Sequence, residues 1–63
     1  MPVVKVDMWK GKTEEQKEKL IEGITKAFVK IGIEAEWVTV ILNEVPKNNW
    51  GMSGKQASKL EHQ

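Results

Sequence analysis

Pro2 directly follows Met1 and opens straight into a run of alternating residues. A second residue as small as proline normally permits removal of the initiator methionine. The product carries a secondary amine on a rigid ring, tied down by the strand that follows. A free α-amino group titrates at roughly 7.7–8.0 in short peptides. Nearby cations and an apolar, desolvated setting both disfavour its charged form and lower that value. An amine brought near the working pH is partly neutral and can act as a general base. A proline that merely starts an edge strand accounts for the same residues, so both readings stand at this point. In a molecule that keeps Met1, the Pro2 nitrogen is an amide and cannot be the base.

Most other chemical signatures are missing. There is no cysteine, and the one histidine, His62, lies in the terminal tail. That leaves no plausible ligand set for a structural zinc, and a Ser/His/Asp arrangement would have to use the tail. No Gly-rich phosphate loop is present. Gly51-Met52-Ser53-Gly54 has the spacing of a nucleic-acid GxxG loop but reads as a plain turn. The net charge is +1 with 30% charged residues, a mixed surface and not the basic footprint of a nucleic-acid binder. No apolar run is long enough to span a membrane, and the N-terminus lacks the pattern of a signal peptide. The expectation is a cytoplasmic protein with no metal, cofactor, nucleic-acid or membrane partner.

The elements that must position Pro2 are short. Residues 2–8 alternate, with Val4, Val6 and Met8 on one side and Val3, Lys5 and Asp7 on the other, which predicts a half-buried strand. Residues 9–12 read as a loop. Thr13 to Gln16 forms a capping box, with Glu14 and Glu15 in the first turn, where the helix dipole favours negative charge. Apolar residues at Leu20, Ile21, Ile24, Ala27, Phe28 and Ile31 form one helical stripe, and Gly32 is a natural stop. The helix is placed at 14–31. Residues 37–44 are β-rich, with Val38, Val40 and Leu42 on one face and Trp37, Thr39, Ile41 and Asn43 on the other. Both faces are bulky and apolar enough to expect cover. Residues 48–51 are turn chemistry, and 52–63 suggest a small hairpin, a loose helical turn and a frayed tail. Lys5, Lys10, Lys17 and Lys19 read as solvated surface.

Strand, helix, strand with a long helical connection suits a right-handed crossover between parallel strands. The fold class is α/β (α+β): one βαβ domain over 1–63, with a short C-terminal hairpin and no internal repeat. A chain of 63 residues buries only about 60% of its unfolded surface. Domains this small usually add disulfides, a metal or oligomerisation. Only oligomerisation remains, and a second copy would cover the sheet face and edges the helix leaves open.

Pro2, the segment from Lys10 to Ile21 and the segment from Asn43 to Lys59 together carry a resemblance that runs essentially end to end. The chain resembles the 4-oxalocrotonate tautomerase family of the tautomerase/MIF superfamily. The resemblance implies βαβ monomers assembling as dimers, commonly a trimer of dimers. It implies cofactor-free keto-enol tautomerisation of enol or dienol acids such as 2-hydroxymuconate. In that picture the Pro2 amine removes the hydroxyl proton and returns a proton to carbon along the conjugated system. The family's first active-site arginine falls at Lys12, which keeps the charge and loses the bidentate fork. The second arginine, which polarises the carbonyl, falls at Thr39, which also reads as an ordinary β-branched strand residue. The aromatic floor falls at Trp50, which also fits an interface anchor. Trp9 occupies a site-lining apolar position and narrows the pocket. Losing a charged donor costs about 2.7–4 kcal/mol in other enzymes. The expectation is a weaker or differently specific tautomerase, with a monoacid enol such as phenylenolpyruvate as the candidate substrate. Two further readings remain: a non-catalytic oligomeric scaffold, and a hydratase or decarboxylase relative using protonated Pro2.

Overall fold

In a computed structural model, described over residues 1–60, the first strand β1 spans Val3–Trp9 and lies parallel to β2, Thr39–Val45. The register pairs Val3 with Thr39 and Trp9 with Val45. Pro2 stays outside the strand because it has no N–H to donate. Its carbonyl nevertheless accepts a hydrogen bond from the Thr39 N–H at 3.0 Å, so the ladder reaches Pro2. At the other end the Lys10 N–H donates to the Val45 carbonyl at 3.0 Å, carrying the pairing one residue past Trp9.

Helix α1, Glu14–Lys30, provides the crossover. Its start follows the capping box: Thr13 Oγ1 accepts from the Gln16 N–H at 3.1 Å, and the Thr13 N–H donates to Gln16 Oε1 at 2.9 Å. Its end is a Schellman motif. The Ile33 N–H reaches the Phe28 carbonyl at 3.1 Å, and the Gly32 N–H reaches the Val29 carbonyl at 3.0 Å. Gly32 adopts φ +99°, which a residue without Cβ does at little cost. The helix is thus one residue shorter than the 14–31 that the periodicity predicts.

The second strand starts later than the expected Trp37. The Trp37 N–H donates to the Glu34 carbonyl at 2.9 Å and the Val38 N–H to the Ala35 carbonyl at 3.1 Å, forming a 3₁₀ turn over Ala35–Trp37. Those donors are spent on the turn and cannot join a ladder. A second 3₁₀ turn, Lys47–Asn49, leads into the hairpin of β3, Gly51–Met52, and β4, Lys55–Gln56. Ser53 and Gly54 both have positive φ, 54° and 77°, the geometry of the primed hairpin turn that matches strand twist. A third 3₁₀ turn, Ala57–Lys59, follows. The frayed tail and His62 lie outside the described residues.

The expected faces hold. Val4, Val6, Met8, Val40 and Leu42 are half-buried, as are Ile24 and Phe28 of α1, while Val3, Lys5, Asp7, Thr39, Ile41 and Asn43 are exposed. On that open face Asn43 Nδ2 donates to Asp7 Oδ1 at 2.8 Å. The expectation that both faces are covered fails within one chain. Val3, Ile41 and Trp37 stay exposed, as do Leu20, Ile21 and Ile31 of the helical stripe. Among the described residues Ala57 alone is buried. The radius of gyration is 14.7 Å, against about 11 Å for a compact domain of this length. No helix among the described residues is long and apolar enough to cross a membrane.

Candidate active site

The parallel register sorts the candidate residues to opposite ends of the sheet. Pro2 and Thr39 sit at the start of the two strands, joined through the Thr39 N–H and the Pro2 carbonyl. Pro2 is half-buried and Thr39 is exposed. Strand alternation puts the Thr39 side chain on the open face with Val3, whereas Pro2 falls on the helix-covered side with Val4. Trp9 closes β1 at the far end. Seven residues of strand at roughly 3.3 Å each separate it from Pro2, a span of about 23 Å.

Trp50 belongs to that far end as well. Its ring meets Trp9 edge-to-face, with centroids 6.0 Å apart and planes at 77°. Its backbone is fixed from both sides. The Trp50 N–H donates to the Lys47 carbonyl at 3.3 Å, and the Trp50 carbonyl accepts from the buried Ala57 at 2.7 Å. Gln56 Nε2 donates to the Asn48 carbonyl at 2.8 Å, tying the hairpin to the turn before Trp50. Lys12 is exposed and lies three residues beyond Trp9, after Gly11 has turned the chain with φ +125°. Pro2 therefore does not meet Lys12, Trp9 or Trp50 of its own chain. The described residues of one chain enclose no cavity.

The charges at the far end follow from one side chain. Lys17 is not the solvated surface residue its type suggests. Its ammonium binds Glu44 at 3.2 Å across to β2 and Glu14 at 3.4 Å on its own helix, with the Lys17 side chain 28% exposed. The hydrogen bond that the Lys17 ammonium donates to Glu44, then the Glu44 charge, raise the Lys17 pKa above its ordinary value. Glu14 and Glu44 are thereby engaged, and Lys12 has no carboxylate partner among the described residues.

Lys47 is a feature the residue pattern did not single out. Its Nζ lies 4.7 Å from the centroid of the Trp9 ring, over the aromatic face. The signal available in the sequence was a lysine three positions before Trp50 in a Pro-bounded turn. Trp9 Nε1 is buried with no hydrogen-bond partner among the described residues. No group of His, Asp or Glu able to hold a metal is found among those residues.

A family model for tautomerase enzymes matches residues 2–59 of this sequence. The chain belongs to the tautomerase family. It is 41% identical over 61 residues to the 2-hydroxymuconate tautomerase of Comamonas testosteroni, spanning 95% of this chain and 97% of that protein. Its fold matches that of YwhB, a homologue of 4-oxalocrotonate tautomerase, with a TM-score of 0.87, 36% identity and coverage of 95% of this chain and 100% of the other. It also matches a heterohexameric 4-oxalocrotonate tautomerase from Chloroflexus aurantiacus J-10-fl at a TM-score of 0.87 and 26% identity, covering 97% and 100% of the two chains. The chain is an isomerase of the tautomerase type, and its βαβ unit with a C-terminal hairpin is the fold of these relatives.

Proposed function

We propose that this tautomerase interconverts the enol and keto forms of a small enol acid, with the amine of Pro2 as general base once Met1 is removed. The observation that carries the reading is the anchoring of Pro2. Its ring is half-buried and its carbonyl is held by the Thr39 N–H. A nitrogen exposed by loss of Met1 therefore starts at a fixed point on the sheet, with little freedom left to lose on binding substrate.

The reaction needs one base. The Pro2 nitrogen takes the enol hydroxyl proton, the carbonyl forms, and the carbon–carbon double bond shifts. The N–H proton is then delivered to the carbon that has gained electron density. Lys12 holds a substrate carboxylate, and its positive charge favours the neutral amine. Trp50 excludes water and packs on the flat unsaturated chain. A second copy must bring these groups to Pro2, because about 23 Å of strand separates them within one chain. The exposed Val3, Ile41, Trp37, Leu20 and Ile31 supply apolar surface for a homo-oligomer, a dimer or a trimer of dimers. One relative of this fold is a heterohexamer.

Thr39 cannot supply the charged donor that polarises the developing carbonyl. The substrate reading is accordingly 2-hydroxymuconate at reduced rate or a monoacid enol such as phenylenolpyruvate. The test is enol-to-keto conversion of both compounds by protein whose N-terminus mass spectrometry has verified as Pro2. A Pro2→Ala control is expected to lose most of the activity, since a positioned base contributes about 10²–10⁴-fold. A control as active as the parent protein sinks the mechanism.

A further inference from the structure

Lys47 stands apart from the other lysines of the chain. Its ammonium lies over the face of Trp9 at 4.7 Å, and Trp9 in turn packs against Trp50. It has no carboxylate partner among the described residues, and Lys17 engages both Glu14 and Glu44. The turn that carries it is held rigidly. Pro46 sets the entry with φ −65°, the Asn49 N–H returns to the Pro46 carbonyl at 2.9 Å, and Gln56 grips the Asn48 carbonyl at 2.8 Å. The buried Trp9 Nε1 turns the N–H edge of the indole inward, which leaves the ring face to Lys47. A positive charge without an anion, held against an aromatic wall, is a receptor for a planar unsaturated carboxylate. A carboxylate would meet the ammonium at the rim of the Trp9–Trp50 pair.

Resting on the tautomerase reading above, we infer that Lys47 is a substrate-binding residue that takes one carboxylate of the enol acid while Lys12 takes the other. Two cations at the Trp9–Trp50 end then offer the two ends of a dienol diacid separate partners. A monoacid uses only one of them. Lys47 acts by holding substrate, so its loss is felt in KM before kcat.

The binding experiment separates this inference from the mechanism. Muconate has the diene and both carboxylates but lacks the hydroxyl, so it binds without reacting. Sorbate is the corresponding dienoic monoacid. Both are titrated against intrinsic tryptophan fluorescence, using the assembled, processed protein. Lys47→Gln is expected to weaken muconate about tenfold, as loss of one charge-assisted contact does. Sorbate should weaken less, and Lys47→Arg should retain muconate binding. In the unsubstituted protein, muconate should protect Lys47 from reductive methylation, read by peptide mass spectrometry. This arm needs no variant to fold. Unchanged muconate affinity in Lys47→Gln, a lower Tm being its only defect, overturns the inference and leaves Lys47 as a brace for Trp9. So does failure of muconate to bind, or failure to protect Lys47. If Lys47-dependent binding persists while Pro2→Ala stays fully active, the base assignment falls and the binding site stands.

Discussion

On the proposed reading, Thr39 is where this chain departs most from the site pattern it resembles. Its hydroxyl carries no charge, and its side chain lies on the open face of the sheet, where a neighbouring copy can meet it. Restoring a charged donor there tests whether the position belongs to the site. Thr39→Arg is expected to raise kcat on 2-hydroxymuconate at least tenfold, a part of the roughly 2.7–4 kcal/mol that one such donor supplies. The gain should be smaller on phenylenolpyruvate. Steady-state kinetics on both substrates reads the difference. Lys12→Ala is expected to lower kcat/KM about tenfold or more while size-exclusion elution and circular dichroism stay unchanged. Residue types alone pointed to Pro2 but favoured a plain strand opening, and the resemblance of the whole chain turned the reading. Lys12, Thr39, Trp50 and Trp9 gained roles only through resemblance, because a lysine, a threonine and two tryptophans are each compatible with ordinary surface or packing.

The helix is the element most fully written in the sequence. Its stripe, its capping box and Gly32 are local signals, and the capping box and the Gly32 end appear in the structure with their hydrogen bonds in place. Two substitutions probe these ends. Thr13→Ala is expected to cost about 1 kcal/mol in denaturant unfolding through loss of the cap. At Gly32 a Cβ meets nothing within 4 Å, so Gly32→Ala isolates the backbone strain at φ +99°. That strain is about 1–2 kcal/mol. The strand boundary at Trp37 was less legible. Side-chain pattern reports faces, whereas the 3₁₀ turn is decided by which carbonyl each N–H finds. The pairing of Lys17 is not legible from residue type because its partner Glu44 is distant in sequence. Its raised pKa carries a sign. The folded state binds the Lys17 proton more tightly than the unfolded chain, so the pair stabilises at neutral pH and fades above about pH 10.5. Lys17→Met should show a shallower loss of Tm between neutral and strongly alkaline solution, measured by calorimetry.

One copy of the chain has almost no interior, with Ala57 its one buried residue among those described. Folding and association are then a single equilibrium, and the unfolding midpoint should rise with protein concentration. A midpoint independent of concentration over a hundredfold range would contradict an obligate assembly. The same geometry allows a sharper test. A site that takes Pro2 from one copy and Lys12 with Trp50 from another can be rebuilt from two damaged chains. Pro2→Ala and Lys12→Ala proteins, each weak alone, are expected to regain activity when unfolded together and refolded as a mixture. A site confined to one chain would show no such recovery. The parallel strands that sort these residues end to end were legible in the sequence, whereas the register that sets Val3 opposite Thr39 was not.

Met1 is 88% exposed ahead of the anchored proline. On the proposed chemistry, the ribosome releases a catalyst lacking its working group, and a peptidase brings that group into existence by cutting one bond. Enzyme abundance and enzyme competence thus become separate quantities in a cell, the second set by the capacity of the trimming machinery. A host that overproduces the chain faster than it trims it would accumulate assembled but silent protein.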